Sequence, residues 1–394
     1  MKEIKSRLVT PKLIKYLKLD NVLVITGMRR VGKTTLLKYL FEFVRSKNKV
    51  FFDLEDVLVR KIFTEDNYEN VVLALEQEGF DFKSKGYIFI DEIQFVRNIP
   101  SVIKYLYDKY GVKFVVTESS SFYLKNYFSE SLSGRKIVVD LHPLTFLEFL
   151  KFKGVEKIET LSYKQKSRKK IELSVDKFGK LYQEYARFGG LPGVVLTKGV
   201  EQKKLMLRDV ANSYFQIDVA TLMDFKDVGV LRDLLALLTQ RVGQKLNIVN
   251  LANVLKIRRD KVYSYLEFLQ STFMVKFISQ KTSIDNRVSA DNKVYFTDTG
   301  LAQVFEKIAL GSLLENSVYM SLAYEEKLSY FQTKSGGEID FVVNNKIGLE
   351  VKQSPSPQDI ANLKKRLMSA KLKEGYVVGV NYLEKQGVVM AWDL

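Results

Sequence analysis

VLVITGMRRVGKTT, Val22 to Thr35, is the stretch on which the fold turns. Val22 to Ile25 is an apolar run of strand type, and TTLLKYLFEFV, from Thr34, carries apolar residues at helical spacing. Between them Gly27, Gly32, Lys33 and Thr34 meet the pattern G-x-x-x-x-G-K-[ST]. Strand, glycine loop and helix form the setting in which the N–H groups of a loop and a helix N-terminus converge on an anion. Glycine lets the backbone approach phosphate closely. Lys33 adds a point charge for the β- and γ-phosphates, and the Thr34 hydroxyl is a ligand for Mg²⁺. The expected ligands are ATP and Mg²⁺, held by Gly27 through Thr35 with Arg30 in the set.

Composition narrows the alternatives. The 394-residue chain has no cysteine and one histidine, His142. Disulfides, thiolate zinc centres and cysteine nucleophiles are excluded, and a Ser-His-Asp triad is disfavoured. His142 precedes Pro143 and reads as structural. Length predicts two or three domains, and 46% hydrophobic residues suffice to build their cores. MKEIKSRLVTPKLIKYLKLD is charged throughout, unlike a signal peptide. No apolar run approaches the ~18 residues of a membrane span, so the expectation is a cytoplasmic protein with no membrane partner.

The net charge is +16, and its distribution matters. Residues 151–180 carry 10 Lys/Arg against 4 Asp/Glu, and residues 224–282 carry 10 against 5, whereas 283–394 carry 13 against 14. The excess therefore lies mostly in the middle of the chain. Such a patch points to a polyanion, most often nucleic acid; the plain alternative is a solvated lysine-rich surface.

Downstream of the loop, Lys49 to Val57 reads as a second strand, and Tyr87 to Ile90 as a short apolar strand ending in Asp91-Glu92. This is a Walker B pattern: Asp91 positions Mg²⁺, and Glu92 orients or deprotonates the attacking water. Such strand ends face the ligand crevice of an open α/β sheet. A further strand, Val112 to Val116, ends in TESSS, where Thr117 and Ser119 are candidate γ-phosphate sensors. Arg135, in SLSGR, is either an arginine finger for a neighbouring subunit or a surface arginine.

GMRRVGKT, DEIQ, T-x-SSS, SLSGR, L-x-PLTFLEFL and the later ARFGGLPGVV (Ala186 to Val195) together resemble one family. It is the archaeal and bacterial P-loop ATPases of the AAA+/STAND division with a C-terminal nuclease-like region, and the resemblance runs over essentially the whole chain. It implies an AAA+-like core, a helical lid, a winged helix and a restriction-nuclease-like end. One departure is Glu118, where the family usually has glycine. A carboxylate beside the γ-phosphate would repel it, so Glu118 must point away or the sensor is altered.

In the middle, the basic cluster Lys164 to Lys170 reads as a solvated loop rather than a phosphate contact, and Phe178 to Val195 as a segment closing over the nucleotide, with Pro192 in contact. Ala211 to Met223 reads as a helical connector. GVLRDLLALLTQRVGQ, IVNLANVLKI and DKVYSYLEFLQS read as three helices, the last capped by Asp260, followed by strands at TFMVKFISQ and KVYFTD. That order makes a winged helix-turn-helix. Its second helix would present Arg258, Arg259, Lys261, Tyr263 and Ser264 to a DNA groove; alternatively the element is an intramolecular lid.

At the C-terminal end, GGEIDFVVNNKIGLEVKQS reads as a hairpin. Strand period places Glu350 and Lys352 on one face, with Asp340 facing them from the partner strand. This is a PD-(D/E)xK arrangement, with Glu315 as a further acid on the preceding helix and Asp340 and Glu350 as ligands of a second Mg²⁺. The alternative is an ordinary hairpin with an ion pair. Trp392 reads as core.

The expectation is an α/β protein: an AAA+-type P-loop core with a parallel sheet (1–150), a helical lid and connector (151–223), a winged helix-turn-helix (224–282) and a nuclease-like α/β domain (283–394). The first function is a Mg²⁺-dependent ATPase switch acting on nucleic acid, DNA favoured. The alternatives are an ATP-licensed DNA endonuclease and a slow regulatory scaffold with a protein partner. Homo-oligomerisation is left open.

Overall fold

In the computed structural model the described residues are 5–120, 132, 134–155, 161–168, 175–220, 228–281, 292–325, 327–333, 335–383 and 385–394. Ser131 and Ser133 of the SLSGR motif, and Lys169 and Lys170 of the basic cluster, lie outside them. The chain divides into two compact units. One is Met1–Leu141 with the short returns Ala220–Asp224 and Ser271–Phe273; the other is His142–Val219, Phe225–Gln270 and Met274–Leu394. Residues 142–150, expected with the P-loop core, fall in the second unit.

The first unit is built on β1 (Val22–Thr26), β2 (Lys49–Asp53), β3 (Tyr87–Asp91), β4 (Lys113–Glu118) and β5 (Lys136–Asp140), in the order β2-β3-β4-β1-β5. Every neighbouring pair is parallel. Parallel strands are covered on both faces, which is why VLVIT is apolar without alternation and wholly buried. The expected second strand stops at Asp53, because Asp56 caps the helix Val57–Phe63 by accepting from Leu58 N at 2.8 Å. Helix Ile99–Tyr110 opens with Pro100 and closes on Gly111 in the left-handed region (φ 64°), whose N–H bonds Tyr107 O. At the opposite end of the sheet from the loop, Lys113 is buried and donates to Tyr16 O (3.1 Å), Leu19 O (2.6 Å) and Asn21 O. It closes the C-terminal turn of helix Thr10–Leu17, and burial pushes its ammonium down to about 8.

The second unit contains two sheets. Strands β6 (Val275–Ile278) and β7 (Lys293–Phe296) form an antiparallel ribbon. Strands β8 (Leu328–Gln332), β9 (Glu338–Val343), β10 (Ile347–Lys352), β11 (Glu374–Gly379) and β12 (Val388–Met390) form a mixed sheet in the order β12-β11-β10-β9-β8. Helices Val228–Gln240, Ile248–Leu255 and Arg259–Ser271 precede the ribbon. Asp260 lies within the first turn of the last of these rather than outside it, where its charge still complements the helix dipole. Helix Phe146–Phe152 starts at a capping box of Thr145 and Glu148. Trp392 is buried in this unit's core, and His142 packs edge-on to Tyr324 at 5.0 Å. Among the described residues no helix is long and apolar enough to cross a membrane.

Three sequence motifs interlock in this unit. Asp298, which caps helix Thr299–Phe305 by accepting from Leu301 N (2.9 Å), also accepts from Gly190 N of the GGLPG segment (2.7 Å). Gly190 O accepts from Leu144 N of the HPLT segment (2.7 Å). A Cβ at Gly189 would strike the Asp298 carboxylate, one at Gly190 the Leu144 carbonyl, and one at Gly300 the Phe188 carbonyl, so the glycines are required by close approach. Pro192 opens the short helix Pro192–Leu196 just beyond this junction.

Burial raises the Asp298 carboxyl from 3.8 to about 6, against the pull of its four backbone N–H donors. A raised folded-state value means stability present at low pH and lost as pH rises through about 6. Wild type should therefore lose stability relative to Asp298→Asn between pH 4 and 6.5, by at most about 1.4 kcal/mol per pH unit. Denaturant midpoints of the two proteins across that range check the slope; parallel curves would contradict it.

Candidate functional site

Gly27, Arg30 and Gly32 all take positive φ (153°, 69° and 98°), so the chain after β1 folds into a tight concavity ending at helix Lys33–Phe43. A Cβ on Gly27 would collide with the Leu141 carbonyl, so no other residue fits there. Lys33 is buried and lies inside the loop, donating to Gly27 O (3.0 Å) and Met28 O (3.2 Å), with Glu92 Oε1 3.7 Å away. Thr34 is half-buried, and Arg30 and Thr35 are exposed. Buried Arg7, which sequence reasoning missed, donates Nη1 to Val31 O (2.9 Å) and ties the N-terminal segment to the loop. No motif marks a lone arginine, so its role emerges only from the fold.

The sheet order places β4 between the strand carrying the loop and the strand ending in Asp91-Glu92. Thr117, on β4, therefore lies beside the carboxylates. Its hydroxyl donates to Asp91 Oδ1 and accepts from Glu92 N at 2.9 Å. Glu92 takes the left-handed conformation (φ 54°), and its Oε2 accepts from Ser119 Oγ (2.7 Å) and from Gln94 Nε2. Thr117 and Ser119, expected to sense phosphate, thus hold the two acids. Gln94, within the DEIQ motif, joins them, a role its spacing alone does not disclose. Glu118 is buried and, by strand alternation, faces away from Thr117, with Oε1 accepting from Ser120 N at 3.0 Å.

The two acids are tuned apart. Burial raises the Asp91 carboxyl, offset in part by hydrogen bonds from Thr117 and Thr34. Burial also acts on Glu92, but Lys33, the Gln94 and Ser119 hydrogen bonds and Arg29 outweigh it, and the net shift is downward. Glu92 is thus held as a carboxylate against Lys33, and Thr34 links the loop to Asp91.

Arg135 lies elsewhere. Its backbone carbonyl accepts from Val22 N, at the start of β1, while the loop follows the end of that strand. Its Nε pairs with Asp108 Oδ1 at 2.9 Å on the surface. A five-residue strand separates it from the loop by roughly 16 Å, so the structure does not bring Arg135 to the loop of its own chain.

In the second unit the predicted acids do gather. Glu350 and Asp340 stand opposite one another, one step beyond the paired Leu349 and Phe341. Glu350 and Lys352 share a face, Nζ lying 3.0 Å from Oε1. The oxygens are not free: Glu350 Oε2 accepts from Arg366 Nη1 (2.6 Å), and Asp340 Oδ2 accepts from Val351 N (2.7 Å). Glu315 accepts from Tyr295 OH (2.6 Å) and faces Lys293. Burial raises the carboxyls of both Glu315 and Asp340. Among the described residues no group of three or more His, Cys, Asp or Glu is arranged to hold a metal ion. Asp340 and Glu350, expected as a Mg²⁺ pair, are engaged here by Arg366, Lys352 and backbone.

Of the expected groove-facing residues, Arg258, Arg259, Tyr263 and Ser264 are exposed. Lys261 is half-buried, with its ammonium 5.6 Å from the centre of the Tyr265 ring. The opposite side of that helix, with Val262, Tyr265, Phe268 and Leu269, is buried.

Residues 19–150 match the family described as "AAA domain". The first unit is an α/β P-loop domain of AAA type. Residues 179–310 and 304–387 match two families described only as domains of unknown function, DUF8612 and DUF4143. The chain is 29% identical over 342 residues to an uncharacterized protein of Methanocaldococcus jannaschii, covering 82% of this chain and 72% of that one. It is 27% identical over 348 residues to an uncharacterized protein of Haemophilus influenzae, covering 84% and 81%. Among solved structures it has slight likeness to the Aeropyrum pernix ORC1 protein in complex with DNA (TM-score 0.35, 14% identity, 80% of this chain, 94% of that one) and to AMPPCP-bound DnaA from Aquifex aeolicus (0.27, 15%, 66% and 86%). The fold assignment rests on the AAA domain and on the sheet, not on these.

Replacing Thr117 by valine keeps the shape but removes one of the two hydroxyl donors to Asp91 and strands the Glu92 N–H. We expect a loss of roughly 1–3 kcal/mol of stability, measured by denaturant unfolding. Thr117→Ser, which retains the hydroxyl, should recover most of it.

Proposed function

We propose that this chain is a Mg²⁺-dependent ATPase working as a nucleotide-driven switch, with nucleic acid, DNA foremost, as its partner. The observation that carries the reading is the junction of Lys33, Thr34, Asp91 and Glu92 at one end of a parallel sheet, beside a tight loop with positive φ at Gly27, Arg30 and Gly32. These residues fit a triphosphate. The loop amides and Lys33 would hold the β- and γ-phosphates, while Thr34 and Asp91 would hold Mg²⁺. Bound Mg²⁺ would supply charge neutralisation at the phosphoryl oxygens. Glu92, kept ionised, would orient water or take its proton. Arg135 remains a candidate only for a neighbouring subunit's site.

The nucleic-acid part of the proposal rests on charge and placement. Arg258 and Arg259 are exposed at the start of helix Arg259–Ser271, which follows helix Ile248–Leu255 across a turn and precedes the β6–β7 ribbon. We read this set as a winged helix-turn-helix with those arginines toward phosphate. The endonuclease reading rests on the gathering of Asp340, Glu350 and Lys352, where Arg366 takes the second Glu350 oxygen.

Two experiments test the proposal. Lys33→Ala should lose ATP binding and turnover together, whereas Glu92→Gln should keep binding and lose turnover by about 10²-fold or more; steady-state phosphate release and nucleotide titration read these. Full turnover in both variants would end the assignment. Arg258→Ala with Arg259→Ala should weaken DNA binding and flatten its dependence on salt, by about 0.9 in log–log slope for each phosphate no longer neutralised. An unchanged slope would remove this helix from the interface.

A further inference from the structure

The acids of the β8–β12 sheet sit among cations drawn from three separate elements. Lys293, on β7, is 3% exposed in its side chain; its Nζ contacts Glu338 Oε1 and lies 3.5 Å from Glu315 Oε1. The same ammonium is 5.4 Å from the centre of the Tyr330 ring. Tyr295, two residues along β7, donates its hydroxyl to the same Glu315 oxygen at 2.6 Å. Gly243 (φ +75°) makes room for that carboxylate, since a Cβ there would lie 2.8 Å from both of its oxygens. From helix Pro357–Ser369, Arg366 donates Nη1 to Glu350 Oε2 (2.6 Å) and to Glu338 O (3.1 Å). Lys352 takes the other Glu350 oxygen at 3.0 Å.

Mg²⁺ demands a near-octahedral shell of oxygens at about 2.0–2.1 Å. Here both Glu350 oxygens and one Asp340 oxygen are committed to donors, and Glu315 and Glu338 share one buried ammonium. We propose that Lys293, Arg366 and Lys352 are built-in counterions standing where a divalent metal would stand, so that this acidic cluster is an ion-pair lock and not a metal centre. The chain continuing β6 is joined to β8 through Tyr330 N–H to Ser279 O (3.1 Å) and Lys281 N–H to Tyr330 O (2.6 Å), and Phe296 of β7 exchanges two hydrogen bonds with Asn316; Lys293 adds the charged tie from β7 to helix Leu310–Ser321 and to β9. A divalent ion gains entry only when the Lys293 ammonium leaves Glu315 and Glu338. A buried charge pair of this kind is weak ground for a gain in net stability, because desolvation offsets the attraction.

Mn²⁺ binding to the nucleotide-free full chain, counted by electron paramagnetic resonance, tests the proposal. Wild type and Asp340→Asn should bind the same number of ions. Lys293→Met should bind one more, and Lys293→Met with Asp340→Asn should lose it again. An ion bound by wild type and missing from Asp340→Asn would overturn the proposal, as would a folded Lys293→Met protein that gains none. Should Lys293→Met fail to fold, the comparison of wild type with Asp340→Asn decides alone. This outcome is independent of the ATPase reading, because none of these residues belongs to the loop or to β3.

Discussion

Burying two adjacent carboxylates at a strand end is the constraint from which the first unit's organisation follows. Asp91 and Glu92 are both almost inaccessible to water, and like charges so placed are costly unless each is partnered. The sheet solves this by inserting β4 between β1 and β3. Thr117 then reaches both residues, Ser119 and Gln94 hold Glu92, and Lys33 arrives from the loop on the far side of β4. The strand that merely completes the sheet also determines the orientation of the acids. Glu92's left-handed backbone, uncommon for a side-chain-bearing residue, is the local strain that aims its carboxylate at Lys33.

The second unit follows the same physics with a different outcome. Its acids are compensated by lysine and arginine from neighbouring elements rather than aimed into a loop of amides. Asp298 is the extreme case: a buried carboxylate satisfied by backbone N–H groups, joining the GGLPG segment to the helix it caps, with glycines wherever the chains touch. Charge here serves to fix one segment against another.

What can be read from the sequence divides along this line. The loop, the Asp91-Glu92 strand and the Asp340/Glu350 hairpin are legible because each is a local pattern of period, glycine spacing or strand-end acids. Arg7, Lys293 and Arg366 are not, since each acts on a partner away from it in the chain and carries no spacing signature. Arg135 is placed by strand register at the end of β5 away from the loop of its own chain, paired with Asp108. The hydroxyls of β4 stand out in the sequence, yet their chemistry suggests phosphate, because only the strand order reveals that they face the acids. The expected end of β2 shifts for a simple reason, the Asp56 cap of the helix that follows.

The central claim is that the loop from Gly27 to Thr35 encloses a triphosphate. Amide hydrogen exchange of the full chain, with and without saturating ATP and Mg²⁺, tests it most directly. The account predicts strong protection confined first to residues 27–35 and 91–92. Unchanged exchange across both segments in the presence of nucleotide would contradict it.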